Sequence, residues 1–265
     1  MKLTKIIHRQ KLKTEIITLY LATNSLRKKW NSHKIRTLEK KCTDKYTLVR
    51  QLTDLRTVKR TRIFGMHYLL LFVGILFLIF SVFILNIPAL NELDLQAVEW
   101  MSLYRTEFWN QITQSLSLIG GMPFVLFLST LWCIAFLWYK KYTNAIFICI
   151  GIIGGILLAW LLKFAIARPR PPESLHLVES FGSSFPSAHS LYAACLGCLA
   201  MFIYRQHPRH TIIWMGAGAW MLMMGISRVY LGVHFPSDVI SGWSISFIWI
   251  SLWYMVWIRY CAAHK

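Results

Sequence analysis

Acidic residues are scarce in this sequence. Asp and Glu number 11 among 265 residues, against 29 Lys and Arg, and the formal net charge is +18. The second half of the chain contains only three acidic side chains: Glu173, Glu179 and Asp238. Because two-metal hydrolytic sites are built from clustered ligands of this kind, the shortage argues against such a site.

The composition of an ordinary soluble domain is also missing. Hydrophobic residues make up 56% of the chain and the mean hydropathy is +0.47, whereas soluble domains are nearer ~45–50% apolar. Six windows approach the ~20 apolar residues that a helix needs to cross ~30 Å of hydrocarbon. They lie at roughly 67–87, 118–139, 144–163, 188–204, 211–231 and 239–258. We therefore predict an all-α, polytopic membrane protein with a six-helix transmembrane bundle.

A removable signal peptide is not expected, because about sixty largely polar residues precede the first apolar window. Residues 1–62 carry 18 basic and four acidic side chains. Apolar residues recur there at helical spacing: Leu12, Ile16, Leu19 and Tyr20. This pattern favours an amphipathic helix on an anionic membrane surface, with nucleic-acid binding as the weaker alternative. We expect a basic cytoplasmic N-terminal segment, 1–62, before a membrane domain, 63–265, and no nucleic-acid partner.

The basic residues also predict the sidedness of the chain. Lys and Arg concentrate in cytoplasmic loops, so the basic tail places the N-terminus in the cytoplasm. Later basic residues then fall on the inner side: Lys140, Lys141, Arg205, Arg209, Arg259 and Lys265. The loop after the first window carries four acidic residues and one basic residue, as an outer loop can: Glu92, Asp94, Glu99, Glu107 and Arg105. The short loops suggest the bacterial inner (plasma) membrane.

Four basic side chains break this pattern. Lys163, Arg168 and Arg170 follow the third window, and Arg228 follows the fifth, all on the outer side. Charges near membrane depth cost ~2.5–3.5 kcal/mol on insertion scales, so such exceptions usually serve a site. Snorkelling to the outer head groups is the alternative. Three prolines within 169–172 end the third helix and leave the arginines on extended chain, where guanidinium groups are suited to phosphate.

A second polar block lies at the start of the fourth window. Pro186 and Ser187 are suited to beginning a helix. The free amides and the positive dipole end of such a helix bind anions, and His189 stands beside them. The alternative is an ordinary helix start with an interfacial histidine.

A third polar block precedes the sixth window. His234 and Asp238 are four residues apart, with Pro236 between them. On a helix this spacing puts both side chains on one face. Asp238 can then accept a hydrogen bond from one imidazole nitrogen and leave the lone pair of the other free. A helix cap at Asp238 with an unrelated histidine is the alternative.

In this order the patterns K-x6-RP, PS-x-H and SR-x5-H-x3-D resemble the signature of the type 2 phosphatidic acid phosphatase superfamily. That superfamily includes membrane lipid phosphate phosphatases and vanadium haloperoxidases. The resemblance rests on Lys163, Arg170 and Pro171, on Pro186, Ser187 and His189, and on Ser227, Arg228, His234 and Asp238. The second motif most often reads PSGH, and Ala188 replaces its glycine. Because a helical first turn needs no positive φ, we expect the Ala188 amide to remain available.

The resemblance implies an enzyme that hydrolyses a lipid phosphate monoester or diphosphate without a metal or another cofactor. His234 would attack phosphorus, Asp238 would orient it, and His189 would protonate the leaving oxygen and then activate water. Groups expected to bind the phosphate oxygens are Lys163, Arg170, Arg228, the amides near Ser187 and Ala188, and Arg168 as an auxiliary contact. Phosphatidate, phosphatidylglycerol phosphate and undecaprenyl diphosphate all remain open as substrates.

A transporter or anion-binding protein that uses the same basic cluster without hydrolysis is the second hypothesis. Transporter sites lie near the bilayer midplane on broken helices. Here the charges cluster at the ends of the windows on one face. This distribution favours an enzyme with an extracytoplasmic active site.

Overall fold

The computed structural model describes residues 65–263, and its regular structure over that range is helical, without strands. The helices are α1 (Met66–Asn86), α2 (Pro88–Ser102), α3 (Glu107–Gly120), α4 (Met122–Trp138), α5 (Tyr142–Ile166), α6 (Ala188–Ile203), α7 (His210–Tyr230) and α8 (Pro236–Ala263). A 3₁₀ turn, Glu173–Leu175, lies between α5 and α6. The all-α prediction is confirmed for this range. The predicted N-terminal segment, 1–62, lies outside the described residues.

Six helices fall on the six apolar windows: α1, α4, α5, α6, α7 and α8. Four of them, α1, α5, α7 and α8, are each long and apolar enough to cross a membrane. α3 and α4 reach that length only as a pair bent by 56°, and α6 has 16 residues. By length and composition, residues 65–263 therefore form four membrane-spanning helices, or five with the bent pair. The protein is a multi-pass membrane protein.

The break between α3 and α4 lies at Gly121. This residue is extended, with φ −70° and ψ 157°, and a proline, Pro123, occupies the first turn of α4. Proline is tolerated there because the first turn has no intrahelical partner for its missing N–H. The second apolar window, 118–139, therefore differs from the structure at its start, because residues 118–120 belong to α3.

The segment interpreted as an outer loop forms two helices, α2 and α3. The Thr106 side chain caps α3 by accepting a hydrogen bond from the Trp109 N–H. Both helices mix polar with apolar residues, so a search for apolar windows does not detect them. α2 packs against α7 and α8, and α3 packs against α6 and α7. Side chains from the predicted loop are thereby brought to the interior of the bundle.

α6 lies at the centre of the bundle. Its residues from Ser190 to Leu199 are all buried, and it contacts α5, α7 and α8. The small residues Ala193, Ala194 and Gly197 allow the neighbouring helices to approach it closely.

A ladder of indole hydrogen bonds sets the register of α8 against α5. Three tryptophans one turn apart on α8 donate to carbonyls one turn apart on α5: Trp249 to Gly151 at 2.9 Å, Trp253 to Phe147 at 3.1 Å and Trp257 to Thr143 at 3.1 Å. The two helices are therefore antiparallel. Continued along both helices, this register brings the end of α5, with Lys163, beside the start of α8, with Asp238.

Candidate active site

The three polar blocks converge where α5 and α7 end and α6 and α8 begin. α5 ends at Ile166, and the capping residue Ala167 has a left-handed backbone with φ 49°. In its last turn Lys163 Nζ donates to the Ser183 carbonyl, and Ser183 Oγ donates back to the Lys163 carbonyl at 2.7 Å. These bonds tie the segment between α5 and α6 to the end of α5.

Arg170 links two segments around the site. Its guanidinium donates to the carbonyls of Phe181, Gly182 and Val233 at 2.9, 2.9 and 2.7 Å. The same Nη1 atom that bonds to Val233 also lies 3.3 Å from His234 Nε2. The first and third blocks therefore meet at this guanidinium.

The His234 imidazole lies between a cation and a carboxylate. Its Nε2 faces Arg170, and its Nδ1 lies 3.5 Å from Asp238 Oδ2. A guanidinium only donates hydrogen bonds, so Nε2 is the unprotonated nitrogen and the ring proton is on Nδ1, toward Asp238. Burial lowers the pKa of His234 to about 4, although Asp238 opposes this shift. At neutral pH the ring is therefore uncharged, with a free lone pair on Nε2.

The Asp238 carboxylate is fully buried and hydrogen-bonded at both oxygens. Oδ2 accepts hydrogen bonds from Ser184 Oγ and from the Phe235 N–H, and Oδ1 accepts from Arg168 Nη1 at 2.7 Å. Such partners keep a buried carboxylate charged and restrict its rotation. Ser184 was not identified from the sequence, because it lies outside the three motifs.

A second histidine and a third cation meet at α3. His189 Nε2 lies 3.1 Å from the Ser117 carbonyl, and Arg228 Nη1 donates to Ser117 Oγ at 2.9 Å. Because a carbonyl only accepts hydrogen bonds, His189 Nε2 carries the proton. Ser117 was also missed, since no motif extends into the segment that forms α3.

Three cations around the site have no acidic partner in the part of the chain that the structure describes. Among residues 65–263 no carboxylate oxygen lies within 4.0 Å of Lys163, Arg170 or Arg228. Arg228 is nevertheless only 1% exposed, so it does not snorkel into solvent or lipid head groups. Buried charges are normally paired, so the unpaired guanidinium of Arg228 and the two half-buried cations beside it form a candidate anion site.

The helix start at α6 offers fewer amides than expected. The Ser187 N–H donates to the Asp238 carbonyl at 3.0 Å, and Ser187 Oγ accepts from Ser190 Oγ. The expectation that the Ser187 amide serves an anion therefore disagrees with the geometry. The Ala188 N–H has no acceptor among the described residues and remains a candidate donor.

Arg168 also differs from its expected role as an auxiliary phosphate contact. It is 8% exposed and forms ion pairs with Asp238 at 2.7 Å and with Asp94 at 2.9 Å. Two carboxylates thus occupy its guanidinium, which lies on the side of Asp238 away from Oδ2, the oxygen that faces His234. It is not positioned with the three unpaired cations.

The turn from α7 to His234 needs a glycine. Gly232 has φ +75°, and a Cβ there would lie 2.0 Å from the Leu175 carbonyl oxygen. Arg105 supports this turn because its guanidinium donates to the carbonyls of both Leu175 and Tyr230. The arrangement sets the direction in which the chain delivers His234 to the site.

The assembled groups are suited to phosphoryl chemistry. An uncharged imidazole lone pair lies beside cations that can neutralise phosphate oxygens, and a second imidazole carries a proton nearby. Within the described part of the chain, no three His, Cys, Asp or Glu side chains are grouped as metal ligands.

Comparison with known proteins agrees with this chemistry. The model of the PAP2 superfamily matches residues 144–261. Phosphatidylglycerophosphatase B of Bacillus subtilis (strain 168) is 32% identical over 151 residues, which cover 55% of this chain and 74% of that protein. Lipid A 1-phosphatase of Rhizobium johnstonii is 34% identical over 106 residues, or 36% of this chain and 40% of that protein.

A solved structure shares the fold as well. The crystal structure of the first transmembrane PAP2 type phosphatidylglycerolphosphate phosphatase from Bacillus subtilis aligns with a TM-score of 0.65 and 29% identity. The alignment covers 71% of this chain and 94% of that one. Fold, motifs and sequence similarity thus agree, and the chain belongs to the PAP2 superfamily and is a phosphatase.

Proposed function

We propose that this protein hydrolyses a lipid phosphate through a covalent phosphohistidine on His234. One observation carries the proposal: His234 Nε2 lies 3.3 Å from Arg170 while Nδ1 faces Asp238. The lone pair is thereby directed toward the group that would hold the phosphate. The names of the relatives in membrane lipid metabolism support the lipid class of the substrate.

In the first step His234 Nε2 attacks phosphorus as the bond from phosphorus to the leaving oxygen breaks. The substrate, bound as its monoanion, passes its proton to Nδ1 of the neutral His189. His189 then donates this proton to the leaving oxygen, which departs as the lipid alcohol or lipid phosphate. The phosphorylated imidazole becomes positively charged, and Asp238 stabilises it through the Nδ1–H. Lys163, Arg170, Arg228 and the Ala188 amide neutralise the phosphate oxygens, where phosphoryl transfer gains most from electrostatics.

In the second step water attacks the phosphorus of the phosphohistidine. His189, now neutral, accepts a proton from this water, and the bond between nitrogen and phosphorus breaks. His189 passes this proton to the product, inorganic phosphate leaves as its monoanion, and both histidines return to their starting protonation states. These steps account for all protons with the substrate, water and the residues of this chain, and they require no metal ion.

Phosphatidylglycerol phosphate is the first candidate substrate, because phosphatidylglycerophosphatase B of Bacillus subtilis is similar to this chain over 74% of its own length. We expect purified protein in detergent to release phosphate from lipid phosphates and to prefer this one. Phosphate release should be compared across phosphatidylglycerol phosphate, phosphatidate and undecaprenyl diphosphate, with glycerol 3-phosphate as a soluble control. Preference for another lipid would change the substrate, while lipid binding without any hydrolysis would favour the anion-binding alternative.

The proposal includes the arrangement in the membrane. Six spans, with α6 as a short central one, would place the basic N-terminal segment in the cytoplasm on anionic lipid, and the site at the outer face of the inner membrane. It is supported by the basic residues that flank α4, α6 and α8 at one end of the bundle.

Labelling tests this sidedness at two exposed positions. In intact cells a membrane-impermeant maleimide should react with Ser174→Cys, next to the site, and not with Arg209→Cys, between α6 and α7. The parent protein serves as the background for its own cysteines, and permeabilised cells should label both variants. Labelling of Arg209→Cys alone in intact cells would reverse the proposed orientation.

A further inference from the structure

A buried charge network on the far side of Asp238 is not used by the mechanism above. Asp94 on α2 and Arg168 after α5 are 6% and 8% exposed, and Arg168 Nη2 lies 2.9 Å from Asp94 Oδ2. Arg168 Nη1 lies 2.7 Å from Asp238 Oδ1. The three residues therefore form a continuous chain of charges that ends at the carboxylate facing His234.

The start of α8 closes this network. Asp94 accepts hydrogen bonds from the Ser237 N–H at 3.0 Å and from the Ser237 hydroxyl, and Arg168 Nη1 donates to Ser237 Oγ at 2.8 Å. Arg168 also lies over the Phe235 ring at 3.9 Å. The residues on both sides of Pro236 are thus held by α2 and by the chain after α5.

We propose that Asp94 and Arg168 form a positioning pair that fixes the Asp238 carboxylate against His234. Neither residue approaches the substrate. Arg168 restrains Asp238 Oδ1, which leaves Oδ2 directed toward His234 Nδ1, and Asp94 restrains Arg168 by pairing with the other end of its guanidinium. A planar fork can make both contacts at once, whereas a lysine cannot.

The charge balance supports this role. Three cations without a carboxylate partner in the described part of the chain surround the site, and Asp238 would be attracted toward them if nothing held it. The Asp94–Arg168 pair contributes no net charge, so Asp238 keeps its negative charge for the imidazolium that forms on His234. The inference rests on the proposed role of the His234–Asp238 pair in catalysis.

A double-mutant cycle tests the pair. Asp94→Asn keeps the shape of the side chain and should lower kcat by about 10- to 100-fold, the usual loss when an orienting partner of an active-site group is removed. KM should stay within about threefold, because no substrate contact is lost. In the Asp238→Asn background the same substitution should cost less than about threefold, since Asp94 would act only through Asp238. The matched control is Glu92→Gln, an exposed carboxylate on the same helix.

Other outcomes distinguish failure of the positioning role from failure of the proposed catalytic function. Losses that multiply in the double variant, or an Asp94→Asn enzyme as fast as Glu92→Gln, would overturn the positioning role alone. Arg168→Lys provides a second variant and should show the same fall in kcat at nearly constant KM. If neither Asp94→Asn nor Arg168→Lys yields folded protein, the network serves folding and the inference is wrong. Full activity of His234→Ala would instead overturn the proposed function itself.

Discussion

Replacing His234 with alanine is expected to abolish turnover. Removal of a nucleophile that acts with a base and an orienting group typically costs on the order of 10⁶-fold in kcat. His234 Nε2 is the nitrogen aimed at Arg170, and its Nδ1 pairs with the Asp238 carboxylate. Phosphate release from the preferred lipid, measured per mole of folded protein, is the readout.

Variants of the two other catalytic groups should fail differently. Asp238→Asn should leave a slow enzyme, because the amide can donate to Nδ1 and thereby favour the wrong tautomer. His189→Ala should accumulate phosphoenzyme with a substrate that has a good leaving group, because attack still occurs while water is no longer activated. The trapped phosphate should be labile in acid and stable to alkali, as a phosphoramidate is.

His176→Ala is the matched control for these substitutions. His176 lies on the same side of the bundle, and its Nε2 contacts the Pro171 carbonyl at 3.0 Å. It should retain most of the activity. Appreciable lipid turnover by His234→Ala would contradict the covalent mechanism, and loss of wild-type activity with chelators would contradict its independence from metals.

The three sequence motifs named most of the side chains that the structure brings together at the candidate site. His234 and Asp238 face each other although His234 precedes α8, which begins at Pro236, so the contact arises in the turn before the helix and not on one helical face as expected. Lys163 and Arg170 follow from the proline-rich end of α5. The structure brings these side chains together, and their placement depends mainly on local geometry, which a short stretch of sequence encodes.

Residues that act through tertiary contacts were not accessible in this way. In the sequence, Asp94 is one of four acidic residues in an apparent outer loop. Its pairing with Arg168 becomes visible only when α2 is packed against the start of α8. The free amides of a helix start are a local property. In contrast, the hydrogen bond from the Ser187 N–H to the backbone carbonyl of Asp238 depends on how α6 packs against α8.

Replacement of Arg228, whose guanidinium is buried, is expected to cause the second large loss of activity. Its partners are the hydroxyls of Ser117 and Ser227, at 2.9 and 3.3 Å, and it has no acidic partner among residues 65–263. A cation held in this state is preorganised for phosphate oxygens. Arg228→Ala should therefore lower kcat/KM by about 10²- to 10³-fold, the usual loss for one such donor. Arg228→Lys should recover only part of this loss, because a single ammonium cannot reproduce the bidentate fork.

Arg209→Ala is the matched control for Arg228→Ala, because Arg209 is an exposed arginine at the other end of α7. It removes the same charge from the chain and should leave kcat/KM unchanged. Both variants are compared with wild type by phosphate release from the preferred lipid and by thermal unfolding in detergent. A clamp on the phosphate requires that activity falls in Arg228→Ala while most of the protein stays folded, since the arginine supports no carboxylate. Near-normal activity in Arg228→Ala would show that this guanidinium does not contact the phosphoryl group, and equal losses in both variants would reduce its role to bulk electrostatics.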